Sequence, residues 1–371
     1  MAAPTIRKAL ISSFATSPSD ISNLTVITAA HPPPPPRNHV QIRVLYSGFS
    51  GADVNMARGT YPLQRKPPFT PGYCLVGVVS TLPSPSPSAP VPEPAGFQLG
   101  DHIAAITTYN SQSTSLNLPS SLLVKIPSSL LTLAQSSNLN KNTDTLLQQI
   151  TALTLDWSTA FGMLSPSCAA VSPGQRVFIH GLSGAVGQAL LSLSLLAGAE
   201  VYGTASPRNH AALLAAGVKG VYDYRDKTWI SGMKDVGGAD VVFDPLGFES
   251  WDQSWGVLSG TGVLVGYGGN QGALNEGEKR RSPFPYIGKL VLRGLAPWGG
   301  KRSEFYYIKP GSEEWRRGLV ELMGMLEGGK IEVPVKRVLD LTTEGLREAH
   351  RSWGKIEGMG SLVIRVSGVE E

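Results

Sequence analysis

The apolar positions of the chain change their period twice, and each change marks a boundary. From residue 8 to about residue 125 they come in short runs cut by proline and glycine, as in HVQIRVLYSGFS, PGYCLVGVVS and GDHIAAIT. That texture predicts the strands of an antiparallel or barrel-like β domain. Two segments interrupt it, the proline run 32–36 and the Ser/Pro-rich stretch TLPSPSPSAPVPEPAG. Neither can supply core side chains, so both are expected as surface loops. Near residue 142 helical spacing takes over in TDTLLQQITALTLDWSTAFGML, with Thr143 and Asp144 as capping candidates.

A regular alternation follows: QRVFIHG as strand, GAVGQALLSLSLLAGA as helix, EVYGTAS as strand and RNHAALLAAG as helix. GVYDY, ADVVFDPLG, GVLVGYGG and KLVLRGL continue it as further strand candidates. Strands separated by helices form βαβ units, whose crossovers build a doubly wound parallel sheet. Beyond about residue 295, SEEWRRGLVELMGMLEGGK and LTTEGLREAHRSWGKI have the pattern of amphipathic helices, and GSLVIRV that of a closing strand. This tail is expected to return to the first domain. No repeat of fixed period is present.

A length of 371 residues suits two cores, and 42% hydrophobic with 16% charged residues describes a globular chain. The 32 basic and 28 acidic residues give +4 and are scattered. With no basic stripe and no interleaved aromatic motif, nucleic acid is not an expected partner. Two cysteines, Cys74 and Cys168, exclude a disulfide framework and a four-cysteine zinc site. They fit a reducing compartment, and the cytoplasm is expected. The opening MAAPTIRKALISSF has no continuous apolar core before a small-residue cleavage site, so no secretory signal is read there. The longest apolar stretch, 189–199, is too short to span a bilayer, which leaves no membrane partner and predicts a buried helix.

The sharpest chemical signal is VFIHGLSGAVGQALLSLSLLAG, a strand running into Gly181, Ser183, Gly184, Ala185, Val186 and Gly187 and then into a long apolar helix. Such a turn lets backbone N–H groups and a helix N-terminus approach a pyrophosphate, while the last glycine allows close helix packing. The alternative is a plain strand, turn and helix. The second strand, EVYGTASPRNH, selects between dinucleotides. An NAD site would place Asp or Glu at its end, where Ala205 and Ser206 stand. Ser206, Arg208 and His210 suit a 2′-phosphate, so NADPH is the expected cofactor. Arg208 read blandly is a solvated residue at a helix start. Tyr224, after the third strand, is either a ring for the adenosine or an ordinary aromatic. Asp244, Gly247, Gly266, Tyr267 and Gly268 end later strands at the same sheet edge and are expected to face the nicotinamide, unless the glycines merely serve tight turns.

With these segments in place the chain resembles the medium-chain dehydrogenase/reductase superfamily, in its zinc-independent quinone oxidoreductase branch. The carrying segments are GFSGADVNMARGTYP, FTPGYCLVGVV, GDHIAAIT, HGLSGAVG, SPRNHAALLAAG, VYDY, VVFDPLG and GSLVIRV. The resemblance implies an α/β protein with a GroES-like β-rich substrate domain made from both chain ends and a doubly wound Rossmann domain between them. Its boundaries fall at 1–142, 143–298 and 299–371, with the active-site cleft between the domains. It places the catalytic zinc ligands of metal-bearing members at Ser50, Tyr73 and Leu155, none of them a usual zinc ligand, so no metal is expected. Cys74 departs from the family, which commonly has an acid there; it is either a reactive thiol or a packed, inert one.

The chemistry so implied is hydride transfer from NADPH to an electron-poor carbon of a small electrophile, a quinone, an enone or an enoyl-type C=C. Tyr73, Ser50 and Tyr61 are candidates to stabilise developing negative charge, with Asn55 as a polar contact and Asp53 as a local organiser. Tyr73 is equally readable as a core tyrosine, and Ser50 and Asp53 as turn or cap residues. Two rivals stand beside this reading: a specialised reductase or cyclisation enzyme for one polyketide-like intermediate, and a non-catalytic NADPH-binding protein. Trp298, Phe305 and Tyr306 are candidates to line the substrate pocket, and KLVLRGLAPW to form the edge strand of a homodimer.

Overall fold

The computed structural model describes residues 4–17, 20–83, 96–135, 142–274, 281–295 and 300–367. In chain order the first elements are β1 (Thr5–Ile11), β2 (Leu24–Ala30), β3 (His39–Phe49), α1 (Gly51–Arg58), β4 (Cys74–Thr81), β5 (His102–Ile106), β6 (Ser115–Pro119), β7 (Leu123–Lys125), α2 (Ser128–Gln135) and α3 (Thr143–Ala152). Next come α4 (Ser158–Leu164), β8 (Arg176–Ile179), α5 (Ala185–Leu196), β9 (Glu200–Ala205), α6 (His210–Ala215), β10 (Gly220–Asp223), α7 (Thr228–Asp235), β11 (Ala239–Asp244), α8 (Glu249–Gly256) and β12 (Leu258–Gly266). The last are α9 (Gln271–Leu274), α10 (Phe284–Leu295), β13 (Arg302–Phe305), α11 (Glu313–Glu327), β14 (Val335–Asp340), α12 (Thr343–Ser352) and β15 (Ser361–Arg365). They form two compact units, one of Met1–Leu155, Lys309–Trp353 and Ser361–Glu371, the other of Asp156–Ile308 and Gly354–Gly360.

In the first unit a sheet runs β14-β15-β3-β4-β5-β7, with β6 also on β3, while β1 and β2 form an antiparallel pair. Leu362 pairs with Phe49 and Ile364 with Ser47, so the tail strand β15 completes the sheet beside β3. Of the ten β3 residues from Val40 on, all but Gln41 and Arg43 are apolar or small, and nine are buried. A strand covered on both faces needs such a run rather than alternation. α1 follows it at once. The Ser50 hydroxyl accepts from Ala52 N, the Asp53 carboxylate accepts from Ser50 N, and the helix stops at Gly59 in the left-handed region, φ 73°.

The second unit holds a parallel sheet in the order β10-β9-β8-β11-β12-β13. The order reverses between β9-β8 and β8-β11, the place where open α/β sheets bind ligands at their carboxyl ends. Phe178, Trp229, Met233, Val242, Trp251, Leu264 and Leu290 form a core under one face.

One sequence expectation is corrected. KLVLRGL is not a strand but the second half of α10. A period of two would put Leu290 and Leu292 on one face, yet Leu290 is 1% and Leu292 67% exposed, as helical spacing demands. The edge strand is instead β13, whose charged RSEF carries little strand signal. Trp298 and most of the Ser/Pro-rich stretch lie outside the described residues.

Candidate functional site

In the second unit, β8 ends at Ile179 and the chain turns through 180–184 into α5. Gly181 sits at φ 74°, and a Cβ built on it would meet nothing within 4 Å. Its own N–H donates to the Thr204 hydroxyl on β9 (3.1 Å), and Leu182, fully buried, donates to the Thr204 carbonyl (2.9 Å). Gly187 is closer still: a Cβ there would lie 2.1 Å from the Gly181 carbonyl oxygen, so any side chain would push the turn away from α5. Gly184 caps α5 without a side-chain bond, and the first turn carries no acid. An open backbone turn at an uncapped, uncharged helix start suits a pyrophosphate. Ser183, Ala185 and Val186 are half-buried in that turn. Thr204, which fixes it, gives no signal in the sequence because its role depends on strand register.

Beyond β9, Ser206 is half-buried and Arg208 exposed. The Arg208 Nη2 donates to the carbonyls of Lys355 (3.1 Å) and Ile356 (3.3 Å). His210 turns back, its Nε2 3.1 Å from the Ala205 carbonyl, and so holds the strand end. An acid does stand nearby, one strand over: Asp223 on β10 pairs in register with Ala205. Arg225 covers it, Nε donating to both carboxylate oxygens at 3.0 Å and Nη2 to Oδ2 at 2.5 Å. These bonds hold the Asp223 carboxyl below its usual range. Tyr224 between them is exposed, with the Arg225 guanidinium 5.9 Å from its ring centre.

The later strand ends differ from expectation. Asp244 is fully buried and turned into the protein: its Oδ2 accepts from the Ser250 and Ser254 hydroxyls at 2.7 Å each, and its Oδ1 from Leu246 N at 2.8 Å. His180 Nε2 lies 3.0 Å from Ser254 Oγ and 3.7 Å from Asp244 Oδ2. Since Ser254 gives its one hydrogen to Asp244, the imidazole donates from Nε2, and burial pushes its pKa down. Gly266 faces inward, where a Cβ would meet Leu290 and the Trp251 indole. Tyr267 donates its N–H to the Asp244 carbonyl (3.2 Å), and Gly247 and Gly268 lie in the turns joined by Asn270 N to Pro245 O (3.0 Å). Burial, then Asp244 and Asp156, raise the Tyr267 hydroxyl. Phe305 packs edge-on against Trp251 at 5.9 Å, a core position, and Tyr306 N bonds the Gly266 carbonyl (2.8 Å). A surface cavity of about 510 Å³, lined in part by Gln175, Asp240, Thr261 and Arg302, lies at the opposite ends of these strands and includes none of the candidate residues.

In the first unit the polar candidates bond in small local sets. Tyr61 OH donates to Tyr73 OH at 3.0 Å, with the rings edge-to-face at 6.0 Å. Tyr73 is buried, its carbonyl accepting from Thr107 N (2.8 Å) and Thr108 N (3.1 Å). Asp53 accepts from Ser50 N (3.0 Å) and from Gln112 Nε2 (3.2 Å), a partner the sequence did not suggest. Asn55 Oδ1 accepts from the Thr60 hydroxyl (3.0 Å). Cys74 is fully buried, its Sγ 3.9 Å from the Thr151 carbonyl. Ser50, Tyr73 and Leu155 do not fit a catalytic zinc: the first is a helix cap, the second a phenol bonded to another phenol, the third aliphatic. Among the described residues no three His, Cys, Asp or Glu side chains are grouped to hold a metal ion. No described helix is long and apolar enough to cross a membrane.

Residues 36–122 match the model for an alcohol dehydrogenase GroES-like domain, and residues 216–364 that for a zinc-binding dehydrogenase. The chain is 22% identical over 342 residues to a synaptic vesicle membrane protein VAT-1 homolog of Danio rerio, covering 90% of this chain but 65% of that one. A "Probable quinone oxidoreductase" of Schizosaccharomyces pombe is 27% identical over 297 residues, covering 79% and 78%. The structure of the Escherichia coli quinone oxidoreductase complexed with NADPH superposes with a TM-score of 0.74 at 19% identity, covering 97% of this chain and 99% of that one. A GroES-like β unit joined to a six-stranded parallel dinucleotide-type sheet defines the class. The chain belongs to the medium-chain dehydrogenase/reductase superfamily, in its quinone oxidoreductase-like branch.

Proposed function

We propose that this chain is an NADPH-dependent oxidoreductase which, without zinc, passes hydride to an activated acceptor, a quinone, an enone or an enoyl-type C=C. The observation that carries the reading is the open turn at Gly181, with Gly187 packed beneath it, and Arg208 rather than an acid just beyond the end of β9. NADPH, when bound, supplies the hydride. The chain's own residues do the rest. The 181–187 backbone holds the pyrophosphate. Ser206 and Arg208 receive the 2′-phosphate, while Arg225 neutralises Asp223, the nearest strand-end acid that would repel it. Tyr61 polarises the Tyr73 hydroxyl by donating to it, which makes that phenol a stronger donor toward a carbonyl oxygen gaining charge. Asp53, tied to Ser50 and Gln112, keeps the α1 start in place. The reading includes a homodimer, with the exposed apolar face of α10 as the surface a second copy covers.

Stopped-flow oxidation of NADPH with a panel of quinones and enones tests the activity. Turnover of several acceptors is expected; turnover of one demanding substrate favours a specialised reductase, and binding without turnover a non-catalytic protein. Arg208→Gln should weaken NADPH by about 10- to 100-fold, the worth of a charged hydrogen bond, and leave NADH unchanged. Equal weakening of both by calorimetry would remove Arg208 from the phosphate site.

A further inference from the structure

Arg208 has three partners, and all come from one short segment. Its Nη2 bonds the Lys355 and Ile356 carbonyls at 3.1 and 3.3 Å, and its Nη1 lies 3.8 Å from the Glu357 carboxylate. This segment, Gly354–Gly360, joins the second unit from far along the chain. It also reaches the glycine turn: Gly360 N donates to the Ser183 carbonyl (3.1 Å), and Gln188 on α5 approaches Met359 Sδ (3.8 Å). This seven-residue segment thus reaches both the turn, through Gly360, and the arginine assigned to the phosphate, through Lys355, Ile356 and Glu357.

The three bonds to Arg208 are not equivalent. The two carbonyl contacts come from backbone and do not depend on which side chains the segment carries. The Glu357 contact is a charge on an 88% exposed side chain facing a 43% exposed guanidinium. Asp223, the acid that ends β10, is spent on Arg225. Among the described residues Glu357 is the carboxylate within 4 Å of this guanidinium.

We infer that Glu357 is a specificity-determining residue: its carboxylate occupies the face of Arg208 that a 2′-phosphate takes, so NADPH binds by displacing it and NADH binds without doing so. The inference rests on the cofactor reading above. A phosphate carries close to two negative charges at neutral pH and cannot share one guanidinium with a carboxylate without repulsion. Because the Arg208–Glu357 pair is exposed and long, its loss costs the fold little, and the carbonyls keep the guanidinium in place.

The test is calorimetric or fluorescence titration of the full chain with NADPH and NADH, for wild type, Glu357→Gln, Arg208→Gln and the double variant. Glu357→Gln should tighten NADPH by about three- to tenfold and move NADH by less than about twofold. The gain should shrink in 0.5 M salt, on the order of the screening at that strength. It should also vanish in the Arg208→Gln background. If the wild type binds NADPH but Glu357→Gln shifts both cofactors alike or neither, the inference falls and the cofactor reading stands. If the wild type binds neither dinucleotide, the cofactor reading falls and takes the inference with it.

Discussion

Among the described residues neither ring nitrogen of His350 has a hydrogen-bond partner, although the side chain is 3% exposed and its ring lies edge-on to Phe49 at 4.9 Å. Burial pushes its pKa down to about 3. The unfolded chain, at the ordinary value of 6.5, takes up the proton first, so the stability that the neutral ring preserves is complete above about pH 6.5 and is lost as pH falls toward 3. The slope for one such group is about 1.4 kcal/mol per pH unit. His180 and His102, both pushed down chiefly by burial, add decline of the same sign. Urea unfolding at pH 7, 6, 5 and 4 should show His350→Leu losing stability less steeply than wild type; parallel curves would mean the imidazole stays neutral for another reason. Residues of this kind are hard to read beforehand. The glycines of the turn are visible as a motif because their backbone role is local. Thr204 and Gln112 act through partners on other elements, the Asp223–Arg225 pair matters through the register that sets it beside Ala205, and the Asp244 carboxylate is filled by Ser250, Ser254 and Leu246.

At the scale of elements, that filled carboxylate ties α8 to the ends of β8 and β11. Ser250 and Ser254 belong to α8, Asp244 ends β11, and His180 follows β8. The Trp251 indole N–H, also on α8, donates to the Asp244 carbonyl at 3.2 Å. Asp244→Ala would strip partners from two buried hydroxyls and a backbone N–H, and should cost on the order of 3–5 kcal/mol in urea unfolding. Dinucleotide affinity at low temperature should fall as well, since the same carboxylate anchors the turn at Leu246. A loss below about 1 kcal/mol would show that solvent replaces these bonds. Elements with strong periodicity, α5 and α11 among them, could be read from the chain. α10 could not, because its apolar residues 290–292 allow both periods until burial separates Leu290 from Leu292. The short, charged β13 was invisible for the opposite reason: the edge of a sheet demands few apolar side chains.

For the whole molecule, the proposed homodimer gives a direct measurement. Phe284, Val291, Leu292 and Leu295 are exposed on α10, which packs on the edge strand β13. Light scattering after size exclusion should give twice the chain mass. Leu292→Glu should halve it with little change in melting temperature, since this side chain supports no core of its own chain. A wild type of single-chain mass would leave that apolar stripe unexplained by self-association. The two-domain plan was legible because the period of the apolar residues changes along the chain, although the first unit runs past the change near residue 142 to Leu155 and so keeps α3. The excursion of Gly354–Gly360 to the second unit was not, as nothing in its composition says which surface it meets.

That excursion sets a timetable for synthesis. A ribosome finishes β8 to β13 well before residues 354–360 emerge, and until then the Ser183 carbonyl and Arg208 have none of the partners that later fix them. The nascent sheet can form early, but the end of it at the glycine turn matures only when residues 354–360 have left the exit tunnel.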